Sequence, residues 1–188
     1  MSEGVDTVVL RNELAFHGDY PLDWRPLQVA PDAATLEAMD AANAQLLQAC
    51  IAAEEPPPLR EKNEELLPLA QELARLDAKL NLVLQMLATL VAQNNPEQKR
   101  PIRFNATGAT WTALAPLPTV ASTGVLRIRL QPAIPQSLEL ACQVLEVDGA
   151  EVSVQYLRLS EHAAESMQRL CFLRHRKQVA GARKSRNS

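Results

Sequence analysis

An α+β fold is predicted by two changes of hydrophobic period along the chain. Leucines recur in heptads from Leu66 to Leu90, period-two runs replace them after Asn95, and helical spacing returns after Ser160. These three patterns describe a small antiparallel β-barrel with a C-terminal helix. A long heptad-repeat helix and a second helix, forming a coiled-coil bundle, complete the expected architecture.

Bulk properties restrict the function classes. Of 188 residues, 47% are apolar and only 4% aromatic, so Leu, Val and Ala must fill most of a packed core. The N-terminal residues do not resemble a signal peptide. The longest apolar stretch, Leu82 to Ala92, falls short of the roughly 20 residues that span a bilayer. Cys50, Cys142 and Cys171 are odd in number and lack a Cys-x-x-Cys pair, which predicts reduced thiols and a cytoplasmic location. Net charge is −3 but unevenly spread: residues 1–98 hold 6 basic and 16 acidic side chains, residues 99–188 hold 13 basic and 6 acidic. Two differently used segments are implied.

Taken in order, residues 1–30 are expected to contribute the first barrel strand, within "TVVLRNELAF" at 7–16, before a turn at "HGDYP". Residues 31–95 form a helical insertion. Its first helix spans Pro31 to Glu55, with Leu36, Met39, Asn43, Leu46 and Cys50 on one face and Leu47 and Ile51 beside them; "PPP" at 56–58 stops it. The heptad helix starts near Pro68, a residue suited to a first turn because it lacks an N–H, and ends at Asn95-Pro96. Its roughly 26 residues make a rod about 39 Å long. Residues 96–177 read as the barrel and terminal helix, with Asp148-Gly149 supplying a hairpin turn. Ser160 is the expected N-cap of that helix, followed by Met167, Leu170, Cys171 and Arg174 at helical spacing. Residues 178–188 are expected to be a disordered basic tail.

The heptad seam predicts self-association. Leu66, Leu73, Leu80 and Leu87 hold the a positions; Leu69, Leu76, Val83 and Leu90 hold d. A strict seven-residue repeat turns one face toward a supercoiled partner. Burying each leucine contributes roughly 1.5–3 kcal/mol, and an exposed stripe invites aggregation. Ala70, Leu84 and Val91 extend the surface at e, and Met86 at g, a breadth that favours four helices over two. A homotetramer is therefore expected. The simpler alternative folds the seam against the Pro31–Glu55 helix as an intramolecular hairpin.

In the C-terminal half, "FNATGATW" from Phe104, then "VLRIRLQPAIPQSLELACQVLEVDGAEVSVQYLRLSEHAAESMQRLCFLRHRK" to Lys177, resembles the PilZ domain family of cyclic di-GMP receptors. The resemblance implies a β-barrel with a closing helix and a bacterial signalling role. It implies that an Asp/Asn-x-Ser-x-x-Gly motif and an Arg-x-x-x-Arg pair grip the ligand, the arginines because a planar guanidinium pairs bidentately with phosphate and stacks on rings. Asn105 matches the first motif position, Thr107 keeps a hydroxyl at the second, and Thr110 departs from the glycine. Lys99 and Arg103 stand four apart but abut this motif. If the barrel takes cyclic di-GMP, Arg100, Arg103, Asn105 and Thr107 are the candidate ligand residues. The expected state is a degenerate site in a module that acts through a protein partner; a working cyclic di-GMP receptor is the alternative.

Nucleic-acid binding is a further alternative. The tail carries Arg174, Arg176, Lys177, Arg183, Lys184 and Arg186, but lacks interleaved aromatics beyond Phe172. Catalysis is not expected. His17, His162 and His175 are scattered without metal-ligand spacing, so no metal or other cofactor is implied. Glu54-Glu55 and Glu64-Glu65 read as solvated helix edges, and Trp24 and Trp111 as half-buried packing residues.

Overall fold

A computed structural model of the protein describes residues 15–55, 67–94, 99–132 and 134–186, without the side chains of 67–70, 85, 88, 91–94 and 182–186. Six strands and three helices follow in the order β1 (Phe16–Pro26), α1 (Ala33–Glu54), α2 (Leu67–Asn94), β2 (Lys99–Phe104), β3 (Gly108–Thr112), β4 (Thr123–Ile128), β5 (Leu138–Asp148), β6 (Glu151–Tyr156) and α3 (Glu161–Arg186). The strands close into an antiparallel barrel in the order β1-β2-β3-β6-β5-β4. Closure gives each of the described strands a hydrogen-bonded neighbour on both sides.

β1 makes that closure possible. Its first half pairs with β2, Phe16 opposite Phe104 through Pro21 opposite Lys99. Its second half pairs with β4, Leu22 opposite Ile128 through Pro26 opposite Gly124. The expected turn at "HGDYP" is therefore strand. Glycine and proline are tolerated for specific reasons. A Cβ on Gly18 would stand 2.8 Å from the Tyr20 ring and 3.1 Å from Phe16. Pro21 sits where β1 passes from β2 to β4, and its carbonyl accepts from the Arg129 N–H at 3.0 Å. The strand expected at residues 7–14 lies outside the described residues.

Side chains at even positions of β1, β2, β4 and β6 fill the barrel: Phe16, Leu22, Ile102, Phe104, Leu126, Ile128, Val152 and Val154 are all buried. One end, where β1 begins and β2 ends, holds Phe16, Tyr20 and Phe104 in edge-to-face contact at 5.8–6.1 Å. Ala163, Met167, Leu170 and Cys171 of α3 are buried in the same core, with Cys171 Sγ directed at the Phe104 carbonyl. At the opposite end Trp24 and Trp111 stack at 5.6 Å. Trp111 is fully buried, whereas Trp24 is half-buried as expected. Gly124 lies beneath the Trp24 indole; a Cβ there would approach the ring to 2.3 Å. The β5–β6 hairpin turns at Gly149 with φ +57°, a conformation glycine adopts without steric cost.

α1 differs from expectation in its partner. Asp32 caps it by accepting from the Thr35 N–H at 2.8 Å, so Pro31 precedes the cap. Its face of Asn43, Leu46, Leu47, Cys50 and Ile51 packs on α3 and β5 rather than along the heptad helix. Asn43 explains its place on an apolar face: its amide brackets Glu139 of β5, donating to the carbonyl at 2.6 Å and accepting from the N–H at 3.0 Å. At the other end of α1, Glu54 is not solvated. Its side chain is 10% exposed and accepts from Arg174 Nε at 2.8 Å and Lys177 Nζ at 2.7 Å. Arg174, itself buried, also donates to the Tyr20 hydroxyl at 2.7 Å and the Leu130 carbonyl at 2.9 Å, and lies over the Phe16 and Tyr20 rings. Glu55 pairs with Arg169.

Ser160 caps α3 through its hydroxyl, which accepts from the Ala163 N–H, and Asp40 of α1 accepts from the Ser160 N–H. The helix continues to Arg186, so residues 178–186, expected to be disordered, are helical. Lys177 is anchored on Glu54, and Gln178 donates to the His17 carbonyl, which carries the helix past the barrel. All three cysteines are buried free thiols. Desolvation raises Cys50 and Cys171 to about 11, which keeps them protonated and unreactive.

Three substitutions test this packing. Arg174→Ala leaves the buried Glu54 carboxylate with Lys177 as its remaining cation and is expected to cost about 3 kcal/mol, read as the shift in a urea unfolding midpoint; a value under ~0.5 kcal/mol would contradict the buried clasp. Burial opposes ionisation of Glu54, but hydrogen bonds from Lys177 and Arg174 outweigh it and lower its pKa. Its stabilising effect is thus present above the ordinary carboxylate range and lost as pH falls through the lowered folded value, so Glu54→Gln should flatten that part of the acid side of the stability profile. Gly124→Val, which drives methyls into Trp24, should cost about 1–3 kcal/mol in the same measurement.

Candidate ligand turn and assembly helix

The motif residues meet at the β2–β3 turn. Asn105 is buried, and its Oδ1 accepts from the Thr107 N–H and hydroxyl, both at 2.8 Å, and from the Gly108 N–H at 2.9 Å. Its own N–H donates to the Gly108 carbonyl at 3.1 Å. This is an Asx-type closure of a tight turn, in which the side chain substitutes for a backbone acceptor. β6 fastens the same turn: the Tyr156 N–H donates to the Thr107 carbonyl, and the Tyr156 hydroxyl donates to the Gly108 carbonyl at 2.9 Å. Burial raises the Tyr156 pKa well above its ordinary value, so it remains a donor. Asn105 Nδ2 is buried with no partner. Thr110, at the family's glycine position, pairs its hydroxyl with Ser153 across β3–β6 at 3.1 Å.

The two arginines are separated from each other and in part from the turn. Alternation along β2 places Arg103 on the outer face, opposite His17 of β1 and Thr110 of β3. Arg100 shares the inner face with Ile102 and Phe104, and stands five residues from Asn105, about 16 Å along the strand. Arg103, Asn105 and Thr107 thus cluster near one end of the barrel, and Arg100 lies toward the other. The sequence motif located the turn; that its polar atoms serve mainly backbone was not visible in it.

A cleft of about 480 Å³ lies elsewhere, between α1 and the β4–β5 surface, lined by Met39, Asn43, Arg127, Pro135 and Glu139 among others. Arg127 and Glu139 form an ion pair at 2.9 Å on its wall. Among the described residues, no group of three or more His, Cys, Asp or Glu side chains is arranged to hold a metal ion. Nor is any helix long and apolar enough to cross a membrane.

The assembly residues lie on α2. Leu73, Leu76, Leu80, Val83, Leu87 and Leu90 are each 44–58% exposed, and Met86 beside them is 61% exposed. Leu66 lies outside the described residues, while Leu69 falls within the helix. Among the described residues, no other helix or strand packs along α2, so the hairpin with α1 does not form. The 28 residues of α2 measure about 42 Å. The basic residues of α3 have other commitments: Arg174 and Lys177 hold Glu54, and Arg176 lies over the Phe172 ring at 5.8 Å. That leaves less of the stretch available for phosphate contacts.

Comparison with known proteins agrees with this geometry. The model of the "Atypical PilZ domain, cyclic di-GMP receptor" family matches residues 49–184. No curated protein gives a significant match. Among the matching solved structures is a pathogenic protein from Xanthomonas campestris, described as a new tetrameric PilZ domain self-assembled via an unusual helical bundle. It superposes with a TM-score of 0.72 at 24% identity, covering 93% of this chain and 95% of that one. A closed six-stranded barrel capped by α3, with the motif turn between β2 and β3 and the family match over most of its length, places this chain in the atypical PilZ domain family.

Proposed function

We propose that this chain is a non-catalytic cytoplasmic signalling module of cyclic di-GMP-linked pathways. It assembles as a homotetramer through α2 and acts through a protein partner. The observation that carries the assembly is the leucine seam: six a and d side chains, each about half exposed, run along a helix that no other described helix or strand of its own chain covers. Burying each contributes roughly 1.5–3 kcal/mol, a strong drive toward helices of other copies. Half-exposed Leu84 at e and exposed Met86 at g widen the face beyond a dimer's narrow seam. The tetrameric Xanthomonas campestris neighbour, self-assembled via a helical bundle, supports the same arrangement here. On this reading residues 31–95 are an insertion into the barrel module, which is presented in four copies.

The barrel is proposed to carry a degenerate cyclic di-GMP site. Asn105 and Thr107 form the hydrogen bonds of their own turn, Thr110 pairs with Ser153, and Arg100 faces the opposite end. A ligand would have to compete with contacts that hold the β2–β3 turn closed.

Replacing Leu80 and Val83 together with glutamate should convert a particle of four 20.7 kDa chains into monomer by light scattering while strand and barrel signals in circular dichroism persist; unchanged mass would refute assembly through this seam. Calorimetric titration of the unmodified protein with cyclic di-GMP should give no micromolar binding. Micromolar affinity would instead make it a working receptor.

A further inference from the structure

The barrel end opposite α3 carries three buried N–H donors without acceptors. Trp24 Nε1, Trp111 Nε1 and Arg100 Nε are each shielded from solvent and make no hydrogen bond. An unmet buried donor is costly, and buried polar groups in folded proteins are nearly always paired. Three at one place call for a common explanation.

They come from three neighbouring strands. The two indoles stack at 5.6 Å. Trp111 pairs with Ile102 of β2, and Arg100 lies two residues along β2 on the same inner face. Diagonal neighbours of this kind have backbones about 7–8 Å apart, within reach of long side chains. Trp24 comes from β1 and is held over Gly124 of β4, so four strands converge on the site. Trp111 is 1% exposed, whereas Trp24 and Arg100, the latter opposite Tyr20 of β1, are half-buried.

The chemistry of the donors selects the ligand. Indole N–H and guanidinium donate and never accept, so the complementary group is acceptor-only, and an ionised carboxylate presents two such oxygens. The rim selects what carries it. The connection from β3 to β4, residues 113–122, must pass β6 and β5 at this end, and it exposes Leu114, Leu117 and Val120. Val29 is 80% exposed close by, on the segment that Leu27 ties to Thr123. The connection is fastened near its ends, Ala113 N–H to Ala150 and Ala121 N–H to Val144, while Pro116 and Pro118 within it lack an N–H. Ile102, Leu126, Leu140 and Val152 are buried in the barrel core below. The body of the ligand must therefore lie across the rim.

We propose that this end of the barrel binds the carboxylate of an apolar peptide segment, with Arg100 and the two indole N–H groups as its donors and the rim of residues 113–122 and Val29 as its apolar bed. The site lies at the end opposite the Asn105 turn. Its biological occupant rests on the reading that the module works through a protein partner, whereas the binding chemistry is tested alone and leaves the oligomeric mass untouched.

Trp24 and Trp111 are the only tryptophans, so the two indole N–H resonances of the ¹⁵N-labelled full chain report the site directly. Titration with N-acetyl-Leu-Leu as free acid should move both resonances downfield to saturation. Its C-terminal amide should bind at least about tenfold more weakly, the size of one charge-assisted hydrogen bond. Arg100→Gln should weaken the acid by a similar factor. If that variant does not fold, the acid–amide comparison on the unmodified chain decides. Indole resonances that stay fixed, or that respond equally to acid and amide, overturn the proposal. Octanoate binding as tightly as the peptide overturns the peptide assignment, and saturation by inorganic phosphate alone overturns the role of the apolar rim.

Discussion

The fold depends on a buried cation. Arg174 projects from α3 into the junction of three other parts of the chain, bonding Glu54 at the end of α1, the Tyr20 hydroxyl in β1 and the Leu130 carbonyl beyond β4. Buried ion pairs contribute modestly to net stability because desolvation opposes them, yet they penalise any arrangement that separates the partners. Here the penalty falls on alternative positions of α1. With Glu54 held at one end and Asn43 bracketing Glu139 nearer the other, α1 is committed to the barrel and α3. It is not available to cover α2. The leucine seam is accordingly left without α1 as a cover.

The same division of labour organises the barrel. β1 changes partners at Pro21–Leu22 and so closes the sheet, creating two distinct ends. One is plugged by aromatic rings and α3, and beside it the Asn105 turn uses its polar atoms on backbone. The other is lined by indoles and crossed by the apolar 113–122 connection. An atypical PilZ barrel built in this way commits Asn105 Oδ1 to the backbone and hydroxyl of the family's motif turn, leaves Asn105 Nδ2 without a partner there, and has unused indole donors at the opposite end.

Much of this was legible locally. The heptads located α2, Asp148-Gly149 the β5–β6 turn, and Ser160 the start of α3, because each signal depends on neighbours within a few residues. What was not legible is long-range. Glu54 reads as a solvated helix end until Arg174, 120 residues later, is brought beside it. "HGDYP" reads as a turn because glycine and proline usually make one; here Gly18 instead makes room for Phe16 and Tyr20, and Pro21 marks a change of partner strand. Of the candidate ligand residues, Asn105 and Thr107 were found together because they are adjacent in sequence. The separation of Arg100 from them follows from strand direction, which spacing alone does not convey.

On the assembly proposed here, the leucine seam of α2 draws copies of this chain together. Sedimentation equilibrium of the unmodified protein over a range of low concentrations tests it most directly. The expected result is a mass of four 20.7 kDa chains that falls only on dilution. A single 20.7 kDa species at every concentration would contradict it and require the seam to be covered from within the chain.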